Sequence, residues 1–216
     1  MPFHNRTDAG VRLSAALMRY RAERPIVLAL PRGGVPVAVE VARALTAPLD
    51  LLLVRKIGVP AQKELAMGAV VDGAAPTVVR NEQVIREAGV SEADFSAACR
   101  HELAEIERRR RAYLGARKPP EIAGRTVIVV DDGLATGATM RAALHALRVH
   151  KPARLVLAVP VAPDDAIAAM RHEADDVVCL ETHALFGAIG AYYDDFHQVP
   201  DSEVVAALGT CTGTGD

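Results

Sequence analysis

The chain has 216 residues, half of them hydrophobic, which excludes global disorder and fits one domain at about 100–200 residues per domain. With 25 Lys+Arg against 27 Asp+Glu the net charge is −2, so there is neither a basic field for general nucleic-acid binding nor an acidic tail. Aromatics make up 4% and Trp is absent, a lean supply for a base-stacking surface.

In chain order, Leu13, Ala16, Leu17 and Tyr20 recur at helical spacing and predict an amphipathic helix over Asp8–Ala22. Ile26–Leu30 is a short apolar run of buried-strand type that stops at Pro31-Arg32-Gly33-Gly34. A helix over Val35–Leu45 and a second buried strand over Leu49–Val54 follow, the strand ending at Arg55-Lys56. Ile57–Leu65, with Gly, Pro, Gln and charges, reads as a loop. Ala66–Val71 and Thr77–Arg80 flank Asp72-Gly73, a hairpin signal. Ser91, with Asp94 three positions on, opens a long helix to Leu114 whose apolar stripe is Phe95, Cys99, Leu103 and Ile106. Thr126–Val130 is a third core strand, running into Asp131-Asp132. Beyond a glycine-containing loop, Met140, Ala143, Leu144 and Leu147 keep helical spacing. A strand over Arg154–Val159, a helix over Asp164–Glu173 and a strand over Asp176–Leu180 complete the series.

Strands alternating with helices predict an α/β fold, a mostly parallel sheet with right-handed crossovers and helices on both faces. One domain is expected over residues 1–208, with a helical insertion at about 81–115 and a C-terminal hood at about 183–208. The Gly/Thr-rich stretch 209–216 is expected to be a frayed tail. Cys99, Cys179 and Cys211 are odd in number and far apart, so no disulfide framework or zinc pair is expected. The polar first ten residues do not read as a secretory signal, and no apolar run reaches membrane length. A cytoplasmic protein is the expectation.

Open α/β sheets bind ligands beyond the carboxyl ends of their strands. Here the richest end is Asp131-Asp132-Gly133-Leu134-Ala135-Thr136-Gly137-Ala138-Thr139. Free backbone N–H groups entering a helix favour a phosphate, and the hydroxyls of Thr136 and Thr139 add donors. Two adjacent acids suit a polyol or a hydrated Mg²⁺, which proteins hold with one or two carboxylates plus substrate oxygens. A phosphorylated sugar offers both groups. The loop lacks the Gly-Lys-Ser/Thr of a nucleotide-binding P-loop and the GxGxxG of a dinucleotide fingerprint.

The stretch Val127 through Thr139 resembles the phosphoribosyl-pyrophosphate (PRPP) motif of type I phosphoribosyltransferases: four apolar residues, two acids, then the small/Thr/Gly/x/Thr loop. Gly133 departs from the usual apolar residue there, and extra loop freedom is the expected consequence. Pro31-Arg32-Gly33-Gly34 is similar to the family's pyrophosphate loop, which holds a non-proline cis peptide, here Pro31–Arg32. Arg55-Lys56, followed by Gly58, Pro60, Lys63 and Glu64, resembles the start of the family's mobile catalytic loop.

The resemblance implies transfer of the 5-phosphoribosyl group from PRPP to a nitrogen acceptor, a nucleobase, with release of pyrophosphate. It implies Arg32, Gly33 and Gly34 on the pyrophosphate, and Gly133, Leu134, Ala135, Thr136, Gly137, Ala138 and Thr139 on the phosphorylated sugar. Asp131, Asp132, Arg55 and Lys56 take the catalytic roles, and Mg²⁺ sits on Asp131 and Asp132, directly or through the substrate. The acidic residue that faces the base in 6-oxopurine enzymes is Ala135 here, which argues against hypoxanthine and guanine. Tyr192, Tyr193 and Phe196 are candidates to stack on the acceptor; packing the last helix on the core is the competing reading. The family also implies a homodimer. Two other functions remain: a non-catalytic PRPP or nucleotide sensor, for which the Arg108–Arg111 run is the motive, and a phosphosugar hydrolase, for which no His or Cys nucleophile flanks the loop. Glu105–Arg109 and Glu107–Arg111 at i,i+4 mark that run as a solvated face. Asp194 and Asp195 near His197 read as an acid/base cluster or as surface charges.

Overall fold

The computed structural model describes residues 2–60, 62–73 and 76–210. Five strands, β1 (Ile26–Ala29), β2 (Leu49–Leu51), β6 (Thr126–Val130), β7 (Arg154–Pro163) and β8 (Asp176–His183), form an all-parallel sheet in the order β2-β1-β6-β7-β8. The apolar runs sort by the two-residue strand period. Val27, Ala29, Ile128, Val130, Val156 and Ala158 enter one core, which α1 (Arg6–Leu17), α2 (Gly34–Leu45), α4 (Glu92–Leu114) and α7 (Asp201–Thr210) cover. Ile26, Leu28, Val127, Val129, Leu155 and Leu157 enter the other, under α5 (Ala138–Val149) and α6 (Asp164–Met170). A strand buried on both faces needs continuous hydrophobic sequence, which is why the core strands were legible.

Between β2 and β6 the chain builds a second sheet, the antiparallel flap β3 (Val54–Val59), β4 (Gln62–Val71) and β5 (Thr77–Arg80), and then α3 (Glu82–Glu87) and α4. This corrects two expectations. The expected strand Leu49–Val54 splits: Leu49–Leu51 stay in the main sheet and Val54 starts the flap. Of the expected loop Ile57–Leu65, Ile57–Val59 belong to β3 and Gln62–Leu65 to β4, while Ala61 lies outside the described residues. The strand pattern is masked because Gly58 sits at a register shift. A Cβ on Gly58 would come 2.4 Å from the Lys63 carbonyl oxygen, so only glycine admits that strand approach.

The first helix starts and ends earlier than expected. Asn5 caps α1 by accepting from the Asp8 N–H, and Met18–Glu23 tighten into a 3₁₀ turn. Ser91 caps α4, accepting from the Asp94 N–H at 3.1 Å. Gly209 and Thr210, assigned by sequence to the tail, belong to α7; Cys211–Asp216 lie outside the described residues. The Arg108–Arg111 run is a solvated face only in part. Arg108 and Arg109 pair with Glu105, and Arg111 pairs with Glu107. Arg110 instead turns inward, between Asp50 at 2.9 Å and Asp72 at 2.6 Å, with all three side chains largely buried. No described helix is long and apolar enough to cross a membrane.

Candidate functional site

The carboxyl ends of β1 and β6 lie side by side, and the Leu30 N–H donates to the Val130 carbonyl at 2.9 Å. The chain leaves β1 through a cis Pro31–Arg32 peptide and turns into α2, where the Gly34 N–H donates to the Leu30 carbonyl at 3.1 Å. This loop lies directly on the two acids. A Cβ on Gly33 would fall 2.0 Å from Asp132 Oδ2, and one on Gly34 would fall 2.8 Å from the Val130 carbonyl oxygen. Both glycines are therefore required by contact.

Past the acids, Leu134 is fixed by its N–H donating to the Val161 carbonyl at 3.0 Å. Gly133 is fixed as well. A Cβ there would lie 2.7 Å from Ile189 Cγ2, so the expected extra loop freedom is not found: glycine makes room for the C-terminal segment. Ala135, Thr136, Ala138 and Thr139 are exposed, and Gly137 turns the chain into α5 at φ +70°, the left-handed region. Among the described residues the N–H groups of Ala135, Thr136 and Gly137 have no hydrogen-bond partner. Three unengaged donors ahead of a helix N-terminus form an anion cradle.

The acid pair is unequal. Burial and the neighbouring Asp132 charge hold the Asp131 carboxyl well above the usual carboxylate range, and the Arg6 charge works against them. Asp132 is clasped from two directions. Arg6 Nε donates to its Oδ2 at 2.7 Å, with both side chains about nine-tenths buried, and the Tyr193 hydroxyl donates to its carbonyl oxygen at 2.6 Å. Arg6 Nη1 also donates to the His197 carbonyl at 2.8 Å, and its guanidinium lies 3.8 Å above the Phe196 ring centre. Sequence reasoning missed Arg6. No spacing signal exists for a partner 126 positions away.

The aromatic residues expected to stack on an acceptor contact other side chains of this chain. Tyr193 is buried with Phe3, Ala9 and Val161, where burial pushes its hydroxyl up in pKa, and Phe196 is pressed between Arg6 and Tyr193. Tyr192 stacks on Phe186 at 4.8 Å and lies 4.5 Å from the His183 ring. His197 is exposed and bonded to Asp195 and Glu203, so that group is a surface cluster.

Of the flap residues, Arg55 Nε donates to Glu102 at 2.7 Å and Lys56 Nζ to Glu64 at 3.2 Å. Arg55, Pro31, Thr139 and Arg109 line a small cavity of ≈ 50 Å³ between the β1 loop, the flap and the cradle. Arg109, expected in a solvated run and paired with Glu105 at 2.8 Å, also reaches this cavity. Arg32 Nη1 meets Asp201 at 3.4 Å, and the Tyr113 hydroxyl donates to the same Asp201 oxygen at 2.8 Å. Among the described residues no group of three His, Cys, Asp or Glu could hold a metal ion. The donor set at the acids therefore fits Mg²⁺ only as an ion sharing one or two carboxylates with substrate oxygens.

The family model of the phosphoribosyl transferase domain matches residues 4–197. Curated proteins from two strains of Mycobacterium tuberculosis, provisionally named as phosphoribosyl transferases, are 47% identical over 206 residues, covering 95% of this chain and 46% of theirs. The chain thus spans about half the length of the curated relatives it matches. The crystal structure of protein TT1426 from Thermus thermophilus is 41% identical with a TM-score of 0.81, covering 99% of this chain and 100% of that one.

Proposed function

The chain belongs to the phosphoribosyl transferase domain family, and from that premise we propose that it moves the 5-phosphoribosyl group from PRPP to the nitrogen of a nucleobase-type acceptor, releasing pyrophosphate. In this reading the C1–oxygen bond to pyrophosphate breaks and a C1–nitrogen bond forms through an oxocarbenium-like transition state. The protein's task is to hold both ends of the donor and to stabilise the departing charge.

The single observation carrying this reading is the convergence of glycine loop, acid pair and unengaged amide cradle at two adjacent strand ends. Arg32 and the amide of Gly33 hold pyrophosphate, Gly34 serving to let the loop close on the acids because its own N–H is bonded to the Leu30 carbonyl; Ala135 to Thr139 hold the 5′-phosphate. That remote handle orients the reacting carbon. Asp131 takes the ribose hydroxyls, while Asp132, tied to Arg6, fixes the position of its neighbour. Asp131 would hold Mg²⁺ together with substrate oxygens, with Asp132 placing it, and the ion would neutralise the leaving group.

The sensor reading loses its motive feature. Each arginine of Arg108–Arg111 pairs with a carboxylate of this chain, and Arg110 is committed inward to Asp50 and Asp72, which weakens the run as an anion-binding patch.

The test is pyrophosphate release from PRPP and Mg²⁺ across a panel of nucleobases, with PRPP binding followed in parallel by melting temperature. Release with one base, abolished by Asp131→Asn, is the expected outcome. Donor binding without release across the panel would shift the assignment to a sensor, and no donor binding would overturn both.

A further inference from the structure

A cleft of ≈ 590 Å³ opens between the flap and α5, apart from the acid pair. Small residues line both facing walls: Ala66, Gly68 and Ala69 on the flap, Ala138 and Ala142 on α5. Val54 and Val79 extend the apolar wall.

Lys56, Arg80, Arg141 and His145 bring positive or ionisable groups to this cleft, and Glu82 and Glu173 bring carboxylates. Their availability differs. Arg80 is committed to Glu82 and Glu92 and lies 4.1 Å above the Phe95 ring centre. His145 faces Glu173 at 4.0 Å. Lys56 donates to the Glu64 backbone carbonyl at 3.0 Å and to its 95% exposed carboxylate at 3.2 Å; water can replace the carboxylate at little cost, which leaves donor capacity on the ammonium. The exposed guanidinium of Arg141 has neither ion pair nor hydrogen bond among the described residues.

We infer that this cleft is a second binding site, for a flat heteroaromatic ligand bearing one acidic group, a carboxylate or a phosphate. The ring lies between the small-residue walls, and the anion meets Arg141 and Lys56. Clefts of about 300–1,000 Å³ with apolar walls and a few placed polar groups suit ligands of this size. A planar guanidinium with no competing partner matches a carboxylate or phosphate fork. Ala138 and Thr139 line the cleft and also belong to the anion cradle, so an occupant would tie the flap to the cradle.

The probes are 5′-AMP, 5′-UMP and quinoline-2-carboxylate, titrated calorimetrically into the full chain, alone and saturated with PRPP and Mg²⁺. At least one should bind. Arg141→Glu and, independently, Ala142→Phe should each weaken that binding about tenfold or more, as expected for losing a charge-assisted bond or the ring's space. Both variants should keep the wild-type PRPP affinity, which separates failure of this site from failure of the donor site. With donor present, pyrophosphate release with consumption of the probe identifies the ligand as the acceptor; recovery of the probe unchanged identifies an effector. The inference is overturned if no probe binds, if binding survives both substitutions, or if PRPP displaces the probe one for one.

Discussion

Replacing Arg6 by Gln removes the charge that faces Asp132 while nearly keeping the side-chain length. The pair is buried, at 8% and 10% side-chain exposure, and its Nε–Oδ2 distance is 2.7 Å. Removing one partner of a buried ion pair strands the other, which costs about 3–5 kcal/mol. For a chain of this size each kcal/mol shifts the melting temperature by about 2–4 °C, so a drop of about 6–20 °C is expected. The loss should depend on pH, with a definite sign. Asp131 already titrates above its unfolded value, so its ionised form costs stability above the unfolded pKa, and that cost fades as pH falls through the folded pKa. Arg6 is one of the influences holding that pKa down. Arg6→Gln should therefore be more damaging at pH 8 than at pH 5. Urea denaturation of wild type and variant at both pH values measures the difference directly. A loss below about 1 kcal/mol, equal at the two pH values, would show that Arg6 is not the countercharge of the acid pair.

Gly33→Ala would place a Cβ 2.0 Å from Asp132 Oδ2 and force the acid or the loop to move; donor affinity should collapse while overpacking costs about 1–3 kcal/mol of stability, read by PRPP titration and denaturation. Arg110→Leu leaves Asp50 and Asp72 buried without their cation, for a loss of about 3–5 kcal/mol in urea denaturation. Burial already raises the Asp72 pKa, with Arg110 opposing it, so that loss should shrink on acidification. Asp201→Asn releases Arg32 from a solvent-exposed contact worth about 0.2–1 kcal/mol, so pyrophosphate should bind up to about fivefold more tightly in calorimetry; weaker binding would mean that Asp201 positions Arg32 rather than competing for it.

The strand-end loops were legible because their chemistry is local. Asp131 through Thr139 carries acids, hydroxyls and glycine in one continuous stretch, and burial on both faces makes β1 and β6 read as unbroken apolar runs. The flap was misread for the opposite reason. Its strands carry Arg55, Lys56, Lys63 and Glu64, and a register shift at Gly58 breaks the alternation that would mark them. Arg110 was misread because i,i+4 pairing describes its neighbours correctly but cannot reveal a helix face turned toward Asp50 and Asp72. Gly133 looked like freedom because the side chain that requires it, Ile189, lies 56 residues further along, and only the fold brings the two together.

The contacts around Asp132 change what the acid pair can do. Sequence alone treats Asp131 and Asp132 as equivalent ligands for a sugar diol or a cation. In the folded chain, one oxygen of Asp132 is held by Arg6 and its backbone carbonyl by Tyr193, so the N-terminal helix and the C-terminal segment both end on this residue. An oxygen already bound to a buried guanidinium is a poor metal ligand, because coordination would strand the cation or need both to share it. Asp131 has no such partner among the described residues, and burial, with the neighbouring Asp132 charge, raises its pKa. A bound cation or a set of ribose hydroxyls would supply what it lacks, and would lower that pKa on binding. Donor binding should therefore release a proton from Asp131 in the pH range where that carboxyl is still protonated in the free protein, with Asp132 serving to place it.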